Sequence, residues 1–222
     1  VLGLQPHPWF VEKVIQLYEM IVVRHGLMIV GPTMGGKTSN WKVLQQALTR
    51  LKEVGQKSGE APERYETVVV SYINPKSITM EQLYGSFDPN THEWHDGVLA
   101  NLIRICSKNT SDNLQWVLFD GPVDTLWIES MNTVLDDNKK LCLNSGEIVP
   151  LSAPMTMMFE PKDLSVASPA TVSRCGMVYM EPTSLGYDVI VDSWLDALPP
   201  LVLTATSGPR VELKRLCDTY IA

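Results

Sequence analysis

Residues 26–38 read Gly-Leu-Met-Ile-Val-Gly-Pro-Thr-Met-Gly-Gly-Lys-Thr, and this stretch decides the fold. Its apolar run Leu-Met-Ile-Val predicts a short strand that is buried on both faces. Gly31 ends the run, and Gly31-x-x-x-x-Gly36-Lys37-Thr38 matches the P-loop pattern at every fixed position. Because the motif follows a predicted strand and precedes a predicted helix, it indicates a nucleotide-binding α/β domain.

The chemistry of phosphate binding explains these residue types. Glycines let backbone N–H groups approach phosphate oxygens without a Cβ in the way, and the next helix directs its positive end at the same anion. Lys37 would add a charge near the β- and γ-phosphates, and the Thr38 hydroxyl would bind Mg²⁺. The alternative is a glycine-rich turn that binds nothing. The loop residues that we predict to contact ATP or ADP are Gly31, Pro32, Thr33, Gly35, Gly36, Lys37 and Thr38.

Composition narrows the class of protein. The chain has 222 residues, of which 45% are hydrophobic and 19% charged, which is ordinary for a globular domain large enough to bury a core. Its formal net charge of −7 argues against a nucleic-acid surface. No apolar run approaches the roughly 20 residues of a membrane span. We therefore expect neither a nucleic-acid nor a membrane partner. The chain begins with Val1 instead of Met, which favours a piece of a longer protein.

Cysteines and histidines give little support to a metal site. The four cysteines lie far apart in the chain, which favours reduced, mostly buried thiols in an intracellular protein. Residues 85–96 are predicted to be irregular, and they contain two histidines beside acidic residues. Their spacing in a loop, with no further His or Cys nearby, makes a surface segment anchored by Trp94 the better interpretation. The cysteines are Cys106, Cys142, Cys175 and Cys217, and the possible ligands are His92, Glu93, His95 and Asp96.

Apolar periodicity and turn residues predict the other helices and strands of the chain, apart from the strand before the P-loop. A helix over residues 9–24 either packs beside the nucleotide and helps to enclose its base or is a plain packing helix. Thr79 and Gln82 have the spacing of a capping box. The further predicted helices cover residues 38–54, 77–84, 96 onward, 124–136, 183–195 and 211–221. The predicted strands cover 67–73, 116–120, 155–159 and 177–180, with a polar loop at 55–64, two short extended pieces within 135–149 and a helical turn at 168–176.

Residues 116–120 read Trp-Val-Leu-Phe-Asp, an apolar strand that ends in an acidic residue. Such a run is common by itself, but downstream of a P-loop it is typical of a Walker B strand. Asp120 would then help Thr38 to hold Mg²⁺. ATPases of this type usually carry a glutamate at the next position as general base, whereas here Gly121 follows. Glycine cannot accept a proton, so the sequence predicts ATP binding rather than efficient cleavage.

Two nearby carboxylates could replace the missing base only if the backbone bends back toward the γ-phosphate. The simpler interpretation makes Asp124 a charge at a helix N-terminus and Glu129 part of a solvated helix face. Arg174, just before the last predicted strand, also has two interpretations. It could interact with the terminal carbonyls of its own helix, or it could project toward the nucleotide of a neighbouring subunit and stabilise the transferring phosphoryl group.

Eight separated blocks of the sequence resemble a dynein heavy chain. Their residues are more similar to those of axonemal than of cytoplasmic dyneins. The blocks occur in the same order as in the family, and they resemble the second of the six AAA+ modules of the motor ring. The blocks are Leu-Tyr-Glu-Met-Ile-Val-Val-Arg-His-Gly (17–26), Gly-Pro-Thr-Met-Gly-Gly-Lys-Thr (31–38), Ile-Asn-Pro-Lys-Ser-Ile-Thr (73–79), Leu-Tyr-Gly-Ser-Phe-Asp (83–88), Trp-His-Asp-Gly-Val-Leu-Ala-Asn (94–101), Phe-Asp-Gly-Pro-Val-Asp (119–124), Asn-Thr-Val-Leu-Asp-Asp-Asn-Lys-Lys-Leu (132–141) and Ser-Pro-Ala-Thr-Val-Ser-Arg-Cys-Gly-Met-Val (168–178).

The resemblance implies a P-loop AAA+ large subdomain over residues 1–182, with a five-stranded parallel sheet flanked by helices. Residues 183–222 would form a connecting helix and the truncated start of the small helical lid. The resemblance also implies that ATP is held by the P-loop and Asp120. Glu160 falls where such modules usually carry a polar sensor, commonly Asn, and this departure also argues against hydrolysis. Arg174 matches the arginine finger that is offered to the first module of the ring.

Two functions from different classes follow. In the first, this module of an axonemal motor binds ATP with Mg²⁺ structurally, with little or no hydrolysis, and supplies Arg174 in trans. The alternative is a self-sufficient P-loop ATPase. For the parent motor, the resemblance implies contacts with adjoining AAA+ modules, with microtubules through other parts of the chain, and with dynein intermediate and light chains. It also implies a location in the cytoplasm, in the cytoskeleton and in the axoneme of a cilium or flagellum.

Overall fold

The structure, a computed structural model, describes residues 2–58, 65–199 and 209–220. The helices in these ranges are α1 (Pro8–Val23), α2 (Lys37–Ser58), α3 (Met80–Tyr84), α4 (Val98–Lys108), α5 (Thr125–Glu129), α6 (Asn132–Leu135), α7 (Pro169–Arg174), α8 (Pro182–Leu185), α9 (Asp188–Asp196) and α10 (Pro209–Tyr220). The strands are β1 (Gly26–Val30), β2 (Val68–Ile73), β3 (Gly85–Phe87), β4 (Trp94–Asp96), β5 (Leu114–Phe119), β6 (Lys140–Cys142), β7 (Ile148–Pro150), β8 (Met155–Phe159) and β9 (Gly176–Tyr179).

Five strands form one parallel sheet in the order β2-β5-β8-β1-β9. Strands β1 and β8 are neighbours and are buried along their whole length, as their continuous apolar runs predict for a parallel sheet covered on both faces. Helices pack on both faces of the sheet. The prediction of a five-stranded parallel sheet flanked by helices is therefore confirmed.

Side chains alternate between two hydrophobic clusters because successive strand residues point to opposite faces. Along β1, Met28 belongs to the cluster covered by α3 to α7, whereas Leu27 and Ile29 belong to the cluster covered by α1 and α2. The first cluster contains a stack of aromatic rings. Phe119 lies 4.8 Å from Phe159 and 5.6 Å from Trp127, measured between ring centroids.

The segment 85–96, predicted to be irregular, instead contains an antiparallel hairpin of β3 and β4. The rings of Phe87 and Trp94 meet edge to face with centroids 5.1 Å apart, which provides a cross-strand contact. Asp96, predicted to begin a helix, is the last residue of β4 and accepts hydrogen bonds from Arg104 and the Trp94 indole. Helix α4 begins two residues later. The capping box of Thr79 and Gln82 is confirmed.

Two predicted helices are each divided into two shorter ones. The helix predicted at 124–136 is broken between α5 and α6, and Asn132 at the start of α6 accepts a hydrogen bond from the Thr171 hydroxyl on α7. This tertiary contact fixes a direction for α6 that local periodicity does not encode. The helix predicted from residue 183 is interrupted by Gly186, whose φ of 73° favours glycine. The extended pieces predicted within 135–149 are shorter, as β6 and β7.

Helix α2 extends through Ser58, beyond its predicted end, and the remainder of the predicted polar loop, residues 59–64, lies outside the described residues. The predicted C-terminal helix corresponds to α10, except that residue 221 lies outside them. All four cysteines are free, but only Cys106 and Cys175 are buried, so the expectation of mostly buried thiols is wrong for Cys142, which is exposed. No helix in the described part of the chain is long and apolar enough to cross a bilayer.

Replacing Phe159 by alanine should remove one ring of the aromatic stack. Phe159 is fully buried, and a buried Phe→Ala change leaves a cavity that costs about 3–5 kcal/mol. Urea denaturation should show this loss in the free energy of unfolding. Phe87→Ala is the matched control, because half of that side chain is exposed and its loss should be smaller. Equal losses for the two variants would contradict this account of the core.

Candidate functional site

Three chemically important segments meet at the carboxyl ends of neighbouring strands. The P-loop follows β1, Asp120 follows β5, and Glu160 follows β8. Phe119 and Phe159 are partners in the parallel register, and the Glu160 N–H donates to the Phe119 carbonyl over 3.1 Å. The two carboxylate-bearing residues therefore leave adjacent strands side by side. In open α/β sheets this edge is where ligands bind.

The P-loop backbone depends on its glycines. A Cβ on Gly31 would lie 2.1 Å from the Met180 carbonyl oxygen, which is too close for any other residue. Gly36 has a φ of +82°, in the left-handed region. Met34 also has a positive φ, 65°, although it is not a glycine. The loop leads directly into α2, whose first residue is Lys37, so a helix N-terminus faces the space above the loop.

The Lys37 ammonium lies across the loop and donates to the carbonyl oxygens of Gly31, at 2.6 Å, and Pro32, at 3.0 Å. Partial burial lowers the pKa of Lys37, while the nearby carboxylates of Glu160 and Asp120 oppose that decrease. These contacts place one flexible cation between the loop and two anions. The same side chain could donate to phosphate oxygens without any change of element.

Glu160 is 7% exposed, and both of its carboxylate oxygens accept hydrogen bonds from α2. The Thr38 hydroxyl donates to Oε2 over 2.6 Å, and the Trp41 indole N–H donates to Oε1 over 2.5 Å. Burial raises the pKa of Glu160, and the two hydrogen bonds oppose that increase. Thr38 and Trp41 are three residues apart, so they lie on the same face of the helix.

A cavity of about 570 Å³ opens above the loop, within the usual size range of ligand sites. Of the predicted site residues, it is lined by Thr33, Gly35, Gly36, Lys37, Thr38, Asp120 and Glu160. Gly31 and Pro32 lie outside the lining and instead offer their carbonyls to Lys37. Side chains from the N-terminal segment and from α1, α8 and α9 form an apolar wall, which includes Leu4, Phe10, Leu185, Val189 and Ile190. Phe10 supports the prediction that the first helix lies beside the ligand.

The residues after β5 leave the cavity without a free carboxylate at the usual base position. Gly121 lines the cavity, whereas neither Asp124 nor Glu129 is part of its lining. Asp124 caps α5 by accepting from the backbone N–H groups of Leu126 and Trp127, and it pairs with Lys76. These contacts hold its pKa low against the effect of burial. Its interpretation as a charge at a helix N-terminus is confirmed. Glu129 is exposed on α5.

Arg174 does not line the cavity and lies at the last residue of α7. Its Nε donates to Asp136 over 2.9 Å, and Nη1 donates to the Ala170 carbonyl of its own helix over 2.7 Å. Nη2 has no hydrogen-bond partner within the described ranges, and 30% of the side chain is exposed. The geometry includes the helix-end contact that the simpler interpretation predicts, and it also leaves one end of the guanidinium available.

The residues present fit a magnesium nucleotide. The Gly31 position admits no Cβ, the cavity has the necessary volume, and a helix N-terminus and Lys37 supply positive potential. The Thr38 hydroxyl and the exposed Asp120 carboxylate are the hard oxygen ligands that Mg²⁺ takes, usually together with water and phosphate. No cluster of three or more His, Cys, Asp or Glu side chains that could hold a metal occurs in the described residues.

Several residues at the site were missed in the sequence. Trp41 does not line the cavity, and its indole N–H bond to Glu160 spans 119 positions of the chain, so no local pattern signals it. Lys162 follows Glu160 by two positions and adds a cation to the cavity lining, which its proximity to the sensor position could have indicated. The residues of α9 gave no local signal, because their place depends on how the helices after β9 return to the loop.

Comparison with protein families agrees with this geometry. Residues 26–175 match a family described as AAA domain (dynein-related subfamily), which covers more than half of the chain. Residues 1–38 match a second family, described as hydrolytic ATP binding site of dynein motor region. The second match ends at Thr38 and so includes the P-loop but neither Asp120 nor Gly121.

Curated relatives are similar over most of the chain. Human dynein axonemal heavy chain 3 is 59% identical over 89% of the chain, human dynein axonemal heavy chain 1 is 58% identical over 87%, and human dynein axonemal heavy chain 12 is 56% identical over 89%. The chain spans 5%, 4% and 6% of the length of these relatives, respectively. With a family match over most of its sheet and P-loop, the chain belongs to the dynein-related subfamily of AAA domains.

Proposed function

We propose that this chain is the second AAA+ module of an axonemal dynein heavy chain, and that it binds ATP or ADP with Mg²⁺ structurally, with little or no hydrolysis. Gly31, Pro32, Thr33, Gly35, Gly36 and Lys37 would form the phosphate cradle, and Thr38 and Asp120 would bind Mg²⁺. When bound, the metal would screen the phosphate charge. A ligand that binds only the folded state also stabilises that state by mass action.

The observation that carries this proposal is that, among the described residues, no free carboxylate occupies the usual base position beside the P-loop. Gly121 follows Asp120, Asp124 caps a helix, and both oxygens of Glu160 accept hydrogen bonds. A residue that already accepts from Thr38 and Trp41 is poorly placed to take a proton from water. The site therefore favours holding a triphosphate over cleaving it.

We further propose that Arg174 acts on the neighbouring module. Its partly exposed position outside the cavity of its own module, and an Nη2 with no hydrogen-bond partner among the described residues, support a function in trans. The pair with Asp136 would hold the side chain in position at the surface. An arginine that stabilises transferring phosphoryl charge is worth about 10³ to 10⁵ in rate in comparable enzymes.

The names of the relatives support a place for the whole protein, again as a proposal. An axonemal dynein heavy chain would be a microtubule motor of cilia and flagella, moving toward the minus end. Its partners would be the adjoining AAA+ modules of the same chain, microtubules through other regions, and dynein intermediate and light chains. We also propose the domain boundary after Pro182. Helix α10 pairs with α9 through Lys214–Asp192 and Arg210–Asp196, as expected for one helical unit.

The alternative, a self-sufficient ATPase, is favoured by one observation only, the match of residues 1–38 to a hydrolytic dynein site. That match ends before the segment in which the base would lie. Rapid ATP cleavage by the unaltered chain, abolished by Asp124→Asn, would support the alternative and overturn the structural function.

Lys37→Ala should weaken ATP binding by about 10- to 100-fold, because a charged hydrogen bond to phosphate is worth about 1.5–3 kcal/mol. Isothermal titration of the full chain with ATP and Mg²⁺ measures the change in Kd. Lys108→Ala, at an exposed position in the last turn of α4, is the control and should leave Kd unchanged. Equal affinity of the parent and Lys37→Ala would remove the phosphate-binding function from the loop.

Gly121→Glu should switch on hydrolysis. A Cβ at this position meets Asn74 and Pro75 only at ordinary contact distances, 3.4 and 3.5 Å, so the longer side chain can be built there. A positioned general base contributes about 10²- to 10⁴-fold, and single-turnover cleavage of radiolabelled ATP should rise by at least the lower factor. Gly121→Gln, which has nearly the same bulk but accepts no proton, should stay slow. If both variants remain as slow as the parent, the missing carboxylate is not what limits cleavage.

Arg174→Ala in the complete motor should slow ATP turnover at the neighbouring module while nucleotide bound at this site is retained. The expected loss approaches the 10³-fold of comparable arginine fingers. Steady-state ATPase rates, together with nucleotide extracted from the purified motor, separate the two effects. Arg210→Ala, another partly exposed arginine in an ion pair, is the control and should not slow turnover. Unchanged turnover in Arg174→Ala would return this residue to its helix-end function.

A further inference from the structure

We infer that Glu160 is a positioning residue for the magnesium site, acting through Thr38: it accepts the hydroxyl proton of Thr38 and so leaves that oxygen's lone pairs for the metal. This inference rests on the proposed function, since it concerns the same site. It assigns to Glu160 a purpose other than sensing phosphate or accepting a proton from water, the tasks expected of a polar residue at this position.

The hydrogen bond between Thr38 and Glu160 has a defined direction. An ionised carboxylate can only accept, so in the 2.6 Å contact with Glu160 the Thr38 hydroxyl must be the donor. A hydroxyl has one proton and two lone pairs. With its proton committed to Glu160, the Thr38 oxygen has both lone pairs free. A metal ion requires a lone pair and is repelled by a proton, so this orientation suits a ligand.

A second hydrogen bond fixes the orientation of the Glu160 carboxylate. Its other oxygen accepts from the Trp41 indole N–H, a group that only donates, and the Trp41 side chain is fully buried. Thr38 and Trp41, on one face of α2, therefore hold the Glu160 carboxylate in one orientation. Outer groups that orient a metal ligand by hydrogen bonding commonly change metal affinity when they are removed.

The two carboxylates at the site, Glu160 and Asp120, differ in whether they are available to bind the metal directly. Both Glu160 oxygens already have protein donors, whereas the exposed Asp120 carboxylate has no ion pair in the described part of the chain. Asp120 is thus the carboxylate that is available as a ligand, and Glu160 is the one that orients. The negative charge of Glu160 also faces Lys37, so its removal changes the charge balance of the cradle.

Glu160→Gln tests this arrangement with little change in shape. An amide offers one acceptor oxygen and one NH₂ donor, so it cannot accept from both Thr38 and Trp41. When the NH₂ faces Thr38, the hydroxyl oxygen accepts from it, so one of its two lone pairs is engaged and its proton is no longer held by a carboxylate away from the metal. Phosphate binding without metal should not suffer, because the P-loop and Lys37 are intact and one negative charge is gone.

The experiment measures the affinity of the full chain for ADP by isothermal titration, once with excess Mg²⁺ and once with EDTA. The magnesium enhancement is the ratio of the Kd in EDTA to the Kd in Mg²⁺. Glu160→Gln should lower this ratio by about tenfold or more, with the Kd in EDTA unchanged or tighter. Trp41→Phe, which removes the indole N–H that donates to Glu160, should lower the magnesium enhancement less. Glu19→Gln, an exposed position on α1, is the control for the substitution and should change neither Kd.

A double-mutant cycle with Thr38→Ala identifies the route of the effect. If Glu160 acts through Thr38, Glu160→Gln should cause no further loss of magnesium enhancement once the hydroxyl is absent. Additive losses would instead make Glu160 an independent metal ligand and would overturn the positioning function. An unchanged enhancement in Glu160→Gln would overturn it as well.

The failure of this inference and the failure of the proposed function give different results. If the unaltered chain binds no ADP in either condition, the nucleotide site itself is refuted. If ADP binds in both conditions but Glu160→Gln keeps the full magnesium enhancement, only the positioning function is refuted. Weaker binding of Glu160→Gln in Mg²⁺ and EDTA alike would indicate general damage to the loop and would also count against it.

Discussion

The hydrogen bond from Thr38 to Glu160 joins the two parts of the molecule on which the site depends. One part is the loop that leads from β1 into α2, and the other is the carboxyl end of β8, the strand beside it. A buried carboxylate is costly unless donors surround it, and α2 supplies two donors from one face. The satisfaction of this single anion therefore fixes the first turn of α2 over the sheet, and with it the place where phosphate would bind.

The same constraint shapes the chemistry that the site can perform. One acceptor site on each oxygen of Glu160 is already taken by a protein donor, and at the position after Asp120 the chain has a glycine. The cradle keeps everything that attracts a phosphate: the helix N-terminus, Lys37 and the close backbone at Gly31. In the proposed function, phosphate binding and cleavage would thus depend on different side chains, and the module would keep its P-loop without a general base.

Elements held by local contacts can be predicted from the sequence, whereas elements held by distant contacts cannot. The capping box at Thr79 was readable because both partners lie within one turn of helix. The hairpin of β3 and β4 could not be predicted from the sequence. Its short strands are separated by a turn-rich segment, and one aromatic pair, Phe87 and Trp94, packs across them. The break between α5 and α6 depends on a contact between Asn132 and Thr171, which periodicity does not record.

The sequence alone determined the sheet, the P-loop and the missing base, because each is a local pattern: an apolar run, a glycine spacing, or a residue directly after a strand. Only the tertiary structure decided what Glu160 does and what closes the cavity. The donors to Glu160 lie 119 and 122 positions away, and the apolar wall combines residues before the first strand with residues of helices beyond the last strand. The physical reason is that hydrogen-bond satisfaction of a buried charge is a property of packed elements, and no single stretch of chain carries it.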